Sequence, residues 1–410
     1  MIYGLVGEHI AHSFSPTIHS ALGNSDYRLF ETDRNGFDRL FASKEFDGVN
    51  VTMPYKRAAL EYCDILDPSA KATGAVNTVV NKNGVLYGYN TDVFGFQKSL
   101  EYANIDIFGK KAFILGSGGA ALAARYALLS NGAAFAKIVS RRKEYDHITY
   151  DELYQNASDA EMIVGATPIG SVYFDGCLLD ETRFESLECF FDLIYNPLRT
   201  EQMQRFARNG VKTLGGLYML VAQAAASHER FFDTKVCDGD IERIYDSIVR
   251  QNTNIVLVGM PGSGKSTIGL LLAQKLSRQF FDTDEMFLNK HRVAPGDYIL
   301  QFGESAFRRL ENEIIKEVSS KQGVIIATGG GSVLERSNRI ELCKNSMVFY
   351  LYRGIESLEP LSDRPLSDTR EKLAKMLDIR DGIYRSMCDS VIESLDKNDI
   401  ADQIIKRVGL

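Results

Sequence analysis

GMPGSGKST at residues 259–267 decides how the C-terminal part of this chain is read. A short apolar run, IVLV at 255–258, stands before it, and a helix-like run at 267–276 follows. Strand, glycine-rich loop and helix therefore come in the order a phosphate loop requires. Gly259, Gly264, Lys265 and Ser266 fall at the spacing G-x-x-x-x-G-K-[ST]. Glycines let successive backbone N–H groups turn inward on phosphate, and the helix N-terminus adds positive potential. The loop thus marks Pro261, Gly262, Ser263, Gly264, Lys265, Ser266 and Thr267 as nucleotide-binding. Lys265 can reach the outer phosphates, and the Ser266 hydroxyl can join a Mg2+ shell. A chance glycine-rich turn is the plain alternative, and the strand and helix on either side speak against it.

Most of the chain precedes this loop. At 410 residues it is too long for one ordinary domain, and two or three are expected. Hydrophobic residues make up 45% and charged residues 25%, a composition that can bury sizeable cores. The net charge of −7 disfavours a general nucleic-acid role, so any anion site must be local. Cys63, Cys177, Cys189, Cys237, Cys343 and Cys388 are scattered without a C-x-x-C pair. That pattern predicts reduced thiols in a cytoplasmic protein. The opening MIYGLVGEHIAHS lacks a basic region followed by a long apolar run, so no signal peptide is expected. No apolar run reaches the ~18 residues of a membrane span.

Strand-like and helix-like runs alternate through the first part. Strands are expected at 3–7, 27–32 and 48–52, with helices at 37–43 and 56–63. Runs 75–81 and 85–90 flank Asn83-Gly84 and predict a hairpin. A helix follows from about Asp92 to Ala103. Strand 111–115, a glycine turn, helix 120–131 and strand 137–140 form a βαβ unit. Beyond it come strands 162–165 and 190–194, helix 203–209, strand 212–214 and a long apolar helix at 217–232. An amphipathic run at 240–250 leads to polar, aperiodic 251–254, where the domain junction is placed. The fold class is α/β: a substrate domain over 1–92 completed by helix 217–233, a Rossmann-like domain over 93–216, a linker over 234–254, and a P-loop domain with a parallel sheet over 255–410.

The second glycine turn, GSGGAA at 116–121, follows a strand and opens a helix. Ala121 replaces the third glycine of G-x-G-x-x-G, a tolerated variant. At the end of the next strand stand Ser140, Arg141, Arg142 and Lys143. An NAD site wants an acidic residue there for the ribose 2′-hydroxyl, whereas basic residues suit a 2′-phosphate. A solvated charge cluster is the alternative reading. Turn and cluster together favour NADP.

Ser13, Ser15, Thr52, Lys56, Asn77, Asn90, Asp92 and Gln223 fall at ends of expected strands or starts of expected helices. In an open α/β domain those ends line the ligand crevice. Each has an ordinary explanation alone: Ser15 before Pro16 can open a helix, Lys56 can be a surface residue, Asp92 can be a cap. Together, hydroxyls and amides suit a polyhydroxylated acid, and a Lys–Asp pair suits proton transfer at a carbonyl. His9, His12 and His19 lack the spacing and neighbouring ligands of a metal site.

In the C-terminal part, FDTDE at 281–285 ends a short strand. Alternation along a strand would point Asp282 and Asp284 to the same side. One carboxylate can order Mg2+ and the other accept a hydroxyl proton. ESAFRRLE at 304–311 places Arg308 and Glu311 one turn apart, and ATGGGSV at 327–333 ends a strand in three glycines. Arg364 precedes Pro365, and Arg380 stands four before Tyr384. Any one arginine can equally be a surface ion pair.

The motifs HSFSP (12–16), GVNVTMPYK (48–56), GAVNT (74–78), NTD (90–92), GSGGAA, GATPIG (165–170) and GGLYMLVAQAA (215–225) occur in order. Over about residues 1–235 the chain resembles shikimate dehydrogenase. The resemblance implies that Lys56 and Asp92 are the catalytic pair. It also implies that Ser13, Ser15, Thr52, Asn77, Asp92, Tyr195 and Gln223 hold substrate. NADP(H) would be held by Gly116, Ser117, Gly118, Gly119, Ala120, Ser140, Arg141 and Arg142, with Leu193 and Gly216. The segment between Arg141 and Gly165 is short and lacks a clear apolar helix, so a trimmed crossover is expected.

Over about 255–410 the chain resembles shikimate kinase. That implies ATP and Mg2+ as cofactors, Asp282 with Ser266 on the metal, and Asp284 as substrate-binding base. Arg308, Gly330 and Arg380 would hold the substrate, and Arg364 would reach ATP from a lid. Lid segment 354–363 is compact, acidic and short of arginine. The expectation is a fused bifunctional enzyme acting on small hydroxy acids, cytoplasmic, monomeric or homodimeric, with no nucleic-acid or membrane partner. Two rivals stand beside it: a kinase joined to a dehydrogenase-like binding module, and a quinate/shikimate oxidoreductase using NAD.

Overall fold

The computed structural model describes residues 1–144, 146–358 and 369–409. It divides into two compact units, Met1–Asp246 and Ser247–Leu410. The division falls inside one helix, Asp238–Asn252. Residues 251 and 252 are thus its last turn, not the aperiodic linker read from their polar composition. Asn252 Nδ2 donates to the Ile248 carbonyl at 2.7 Å, an intrahelical bond that a polar side chain makes as readily as water.

The first unit holds two sheets. Strands β1 (Tyr3–Gly7), β2 (Arg28–Glu31), β3 (Gly48–Val51), β4 (Ile65–Leu66), β5 (Thr78–Lys82) and β6 (Val85–Tyr89) stand in the order β2-β1-β3-β5-β6-β4. β1 pairs in parallel with β2 and β3, whereas β5 runs antiparallel to β3 and β6. The β5–β6 hairpin turns on Asn83 (φ 55°) and Gly84 (φ 86°), the left-handed pair that a two-residue turn needs. Between β3 and β4 a helix was expected over 56–63. Only a 3-10 turn, Ala58–Tyr62, forms there, because the chain must reach β4 within a few residues.

Strands β7 (Lys111–Leu115), β8 (Phe135–Val139), β9 (Met162–Gly165), β10 (Cys189–Asp192) and β11 (Lys212–Leu214) form a wholly parallel sheet, β11-β10-β9-β7-β8. The apolar runs of the inner strands β7, β9 and β10 are buried on both faces, as parallel strands under crossover helices must be. The order reverses between β7 and β9, and the glycine turn follows β7 at that switch point. A doubly wound sheet ordinarily carries one more strand beyond β8. Here that place holds a single bridge. Ile148 N–H donates to the Ile138 carbonyl and the Ile148 carbonyl accepts from Ser140 N–H, both at 2.9 Å. The crossover then returns through one six-residue helix, Tyr150–Gln155. A helix that short depends on its caps, and a reciprocal Thr149–Glu152 capping box supplies them. The crossover is trimmed, as its composition implied.

Helix Leu217–Phe232 returns from the second sheet to the first. It packs on helices Ser15–Ala21 and Asp92–Tyr102 and on β5. Tyr102 and Tyr218 stack at 4.1 Å, and Tyr245 meets both edge-on, fastening the start of helix Asp238–Asn252 to this pair.

The second unit has one parallel sheet of β12 (Asn254–Val258), β13 (Phe280–Asp282), β14 (Ile325–Ala327), β15 (Ser346–Leu351) and β16 (Ser390–Ile392), ordered β13-β14-β12-β15-β16. β12 is central and fully buried, so the phosphate loop that follows it stands over the middle of the sheet. Among the described residues, no helix is long and apolar enough to cross a membrane.

Candidate active sites

In the first unit the C-terminal ends of β1 and β3 and the N-terminal end of the antiparallel β5 converge on the N-terminus of helix Asp92–Tyr102. Lys56 Nζ lies 2.6 Å from Asp92 Oδ2. Asp92 is 5% exposed, and its other oxygen accepts from Asn77 Nδ2 at 2.9 Å. Asn77 also donates to Thr91 Oγ1 at 2.9 Å and faces Gln223 Oε1 at 3.3 Å. Lysine, aspartate, asparagine and glutamine thus form one connected network, drawn from four separate segments. Asn90 supports it from below, giving two hydrogen bonds to Thr73 Oγ1 and the Ala75 carbonyl and accepting from Asp92 N–H.

A second polar layer lies deeper. Asn50 Nδ2 donates to Ser227 Oγ at 2.8 Å and to Thr78 Oγ1 at 3.0 Å, and Tyr27 donates to Asn50 Oδ1 at 2.7 Å. These groups join strands 48–51 and 78–82 to helix Leu217–Phe232, so the helix carrying Gln223 cannot slide without breaking buried bonds. His19 is fully buried, stacked on Tyr27 at 3.9 Å, and burial, helped by nearby His228, pushes it down to about 3.

Ser13 and Ser15 share a hydroxyl contact of 3.1 Å at the start of helix Ser15–Ala21. Tyr195 faces Ser13, and its ring lies 5.8 Å from that of Phe14. Burial raises the Tyr195 phenol, so it remains a neutral donor. Thr52 follows β3 directly, its N–H bonded to the Val6 carbonyl at 3.0 Å. Leu193 and Gly216 adjoin so closely that a side chain on Gly216 would meet the Leu193 carbonyl at 2.1 Å. Below them Asp192 is 3% exposed, accepting from Ile194 N–H at 3.2 Å and Thr200 Oγ1 at 2.8 Å. Among the described residues no cation offsets its burial, which pushes it up to about 7.

At the other glycine turn, Gly116 has φ 110°, and a side chain there would strike the Ala166 carbonyl at 2.8 Å. Gly118 faces open space, while Gly119 is closed in by Lys56 Cδ and Ala75. Lys143 pairs with Glu152, and Arg125 with Asp146. Arg141 and Arg142 are exposed at the end of β8 and, among the described residues, make no ion pair. Ser140 Oγ donates to the Arg142 carbonyl and so folds the segment.

In the second unit a cavity of about 310 Å3 lies between the phosphate loop, the three glycines and helix Arg370–Met387. Asp284, Arg308, Gly330 and Arg380 line it together. Alternation along a strand does not place the two aspartates. The strand stops at Asp282, which caps helix Thr283–His291 by accepting from Asp284 and Glu285 N–H. Asp284 is in the helix's first turn and faces the cavity, whereas Asp282 Oδ2 accepts from Ser266 Oγ at 2.6 Å. The carboxylates therefore serve different neighbours because the strand becomes a helix between them.

Arg308 is held by Glu311 at 2.7 Å and Glu304 at 2.8 Å. Burial opposes its charge, but the two carboxylates outweigh burial and hold the guanidinium above its ordinary range. Ser332 Oγ donates to the other Glu311 oxygen at 2.6 Å. A side chain on Gly329, Gly330 or Gly331 would meet Asp284 at 2.7 Å, Pro261 at 2.8 Å or Arg308 at 2.3 Å. Glycines here let Asp284, Pro261 and Arg308 approach the wall closely. The Gly330 carbonyl accepts from Arg380 Nη1 at 3.1 Å and, more closely, from the Tyr384 hydroxyl. Lys265 Nζ donates to the Gly259 and Met260 carbonyls at 2.9 Å.

The family model described as shikimate dehydrogenase substrate binding domain matches residues 5–79, and that described as shikimate kinase matches 261–409. The shikimate dehydrogenase (NADP(+)) of Clostridium perfringens (strain SM101 / Type A) is 35% identical over 266 residues, covering 60% of this chain and 98% of that protein. The chain belongs to the shikimate dehydrogenase family. Its C-terminal unit is a shikimate kinase domain, so two shikimate-pathway enzymes are fused. Shikimate dehydrogenase 1 from Peptoclostridium difficile superposes with a TM-score of 0.56 at 38% identity, covering 60% of this chain and 97% of that one. Shikimate 5-dehydrogenase from Thermus thermophilus, solved in complex with NADP(H) and shikimate, gives 0.54 at 30% identity, covering 60% and 99%.

The dehydrogenase unit fits a phosphorylated dinucleotide: open space above Gly118, an amide-rich helix start and, at the end of β8, two exposed guanidinium groups that make no ion pair among the described residues. The kinase unit fits ATP and Mg2+. The Ser263 hydroxyl is buried in the phosphate loop without a partner among the described residues, and Ser266 with Asp282 forms an oxygen pair suited to a hard cation. The expected lid arginine, Arg364, lies outside the described residues. Sequence reading did not single out Asn50, Thr78 and Ser227, which no local pattern links, nor Arg57, whose Nη2 donates to the Ser117 carbonyl at 3.0 Å.

Proposed function

We propose that Lys56, Asp92 and Asp284 carry out two consecutive reactions: reduction of 3-dehydroshikimate to shikimate, then phosphorylation of shikimate to shikimate 3-phosphate. The observation that carries the first assignment is the Lys56–Asp92–Asn77 chain of contacts, a lysine held at 2.6 Å by a buried aspartate. NADPH, when bound, supplies the hydride, and ATP with Mg2+ supplies the phosphoryl group.

Lys56 gives its proton to the carbonyl oxygen as the carbon is reduced, and regains one from solvent after product leaves. Asp92 fixes the ammonium and accepts from a substrate hydroxyl, while Asn77 prevents the carboxylate from turning away. Ser13, Ser15, Thr52, Tyr195 and Gln223 supply the hydroxyl and amide contacts that a polyhydroxylated acid needs. Arg141 and Arg142 select a 2′-phosphorylated dinucleotide. Leu193 and Gly216 shape the nicotinamide side.

In the kinase unit Asp284 takes the proton of the attacking hydroxyl, the one the first reaction created. Arg308 and Arg380 hold the carboxylate of shikimate against the Gly330 wall. Lys265 would neutralise charge on the outer phosphates, and Ser266 and Asp282 would hold Mg2+. We place both activities in the cytoplasm, where the six free cysteines would stay reduced.

The test is a paired assay on one preparation. NADP+-dependent oxidation of shikimate at alkaline pH and ATP-dependent phosphorylation of shikimate are both expected. Phosphorylation without oxidation would reduce the first unit to a binding module.

A further inference from the structure

Arg57 follows the proposed catalytic lysine, yet its side chain leaves the substrate cleft and reaches the second sheet. Its Nη2 donates to the Ser117 carbonyl at 3.0 Å, inside the glycine turn. Among the described residues it makes no ion pair, and it is exposed. A guanidinium carries five N–H donors in a rigid plane. One neutral carbonyl uses a single donor and leaves the charge unanswered.

The surroundings indicate what would answer it. Gly119 is walled in by Lys56 Cδ at 3.2 Å and Ala75 Cβ at 3.4 Å, so the substrate side closes over that end of the turn. Gly118 has nothing within 4 Å of where a side chain would begin. The open volume therefore stands above Gly118, next to the carbonyl that already holds Arg57. The twelve-residue helix Gly119–Ser130 presents its first N–H groups to that volume. A diphosphate lying there would find amides on one side and a planar cation at its rim. Arg141 and Arg142, at the end of β8, stand where the ribose 2′-phosphate belongs, so they do not serve the diphosphate.

We propose that Arg57 is a cofactor-binding residue that clamps the dinucleotide diphosphate against the glycine turn from the substrate-binding side. The inference rests on the NADP-dependent dehydrogenase reading above and assigns a charge that reading leaves idle. It also links cofactor binding to the segment carrying Lys56, since the two residues are adjacent in the chain.

The test is calorimetric titration of the full chain with NADP+ and with 2′-AMP, which keeps the 2′-phosphate and lacks the diphosphate. Arg57→Gln should weaken NADP+ about tenfold, the worth of one charge-assisted contact, and leave 2′-AMP unchanged. Arg57→Lys should recover part of the loss, and Arg141→Gln should weaken both ligands. The KM for shikimate should not move in Arg57→Gln, which a merely structural role in closing the cleft would not allow. NADP+ affinity within about twofold of wild type, or equal weakening of NADP+ and 2′-AMP, would overturn the proposal. Wild-type protein binding neither ligand would instead defeat the NADP reading itself, and Arg57's role with it.

Discussion

Single residues in both sites are held by partners that decide their chemistry. Arg308 is the clearest case, since Glu304 and Glu311 fix its guanidinium and Gly331 leaves room for it against the wall. Arg308→Ala should raise the kinase KM for shikimate ~10-fold or more, as expected for losing a charged contact, and shift the KM for ATP far less. Equal shifts in initial-rate kinetics would remove Arg308 from the substrate carboxylate. Asp192 offers a second test. Its carboxyl titrates near 7 in the folded protein, against about 3.9 in an unfolded chain. The stability it contributes is therefore fully present below about pH 3.9 and is lost as pH rises through about 7. Asp192→Asn carries no charge to lose. Its melting temperature should exceed that of the wild type at about pH 8.5, and the gap should shrink at about pH 5.5. A gap that does not change with pH would assign the effect to packing.

At the scale of elements, what could be read in the sequence depended on how local the signal was. β7, β9, β11 and helix Leu217–Phe232 match their expected limits residue for residue, because apolar runs bounded by glycine or charge need no distant information. The stretch 56–63 did not form the expected helix, since the need to reach β4 outweighs its local pattern. Asp282 and Asp284 were separated by a strand-to-helix change that two-residue periodicity cannot foresee. The Asn50–Thr78–Ser227 layer was invisible because its members lie far apart in the chain and each is an ordinary polar residue. Arg57 is hidden for a related reason: its partner, Ser117, lies 60 residues away in the glycine turn after β7. The trimmed crossover was legible from composition, and it leaves the basic end of β8 supported by one capped helix and two exposed ion pairs. Discrimination between cofactors should then rest on Arg141 and Arg142 themselves. The double change Arg141→Ala, Arg142→Ala should lower the kcat/KM preference for NADP+ over NAD+ by at least ~10-fold, the worth of one charged hydrogen bond to phosphate. An unchanged ratio would locate the preference elsewhere.

For the whole molecule, the chemistry of the fusion is sequential: the hydroxyl made in the first unit is the one phosphorylated in the second. Sequential chemistry does not require transfer without release, because shikimate is small, stable and soluble. We expect free diffusion, with fusion setting equal amounts of the two activities. An excess of the Lys56→Ala, Lys265→Ala double variant, added to bind released shikimate, should slow the flux from 3-dehydroshikimate to shikimate 3-phosphate. Flux that ignores the trap would argue for protected transfer.

The most direct test of two independent active sites in one chain is to assay both activities in Lys56→Ala and Lys265→Ala. Lys56→Ala should lose shikimate oxidation by a factor of ~100 or more, the usual worth of a general acid–base, and keep phosphorylation at the wild-type rate. Lys265→Ala should do the reverse. Loss of both activities in either variant, or of neither in both, would contradict the account.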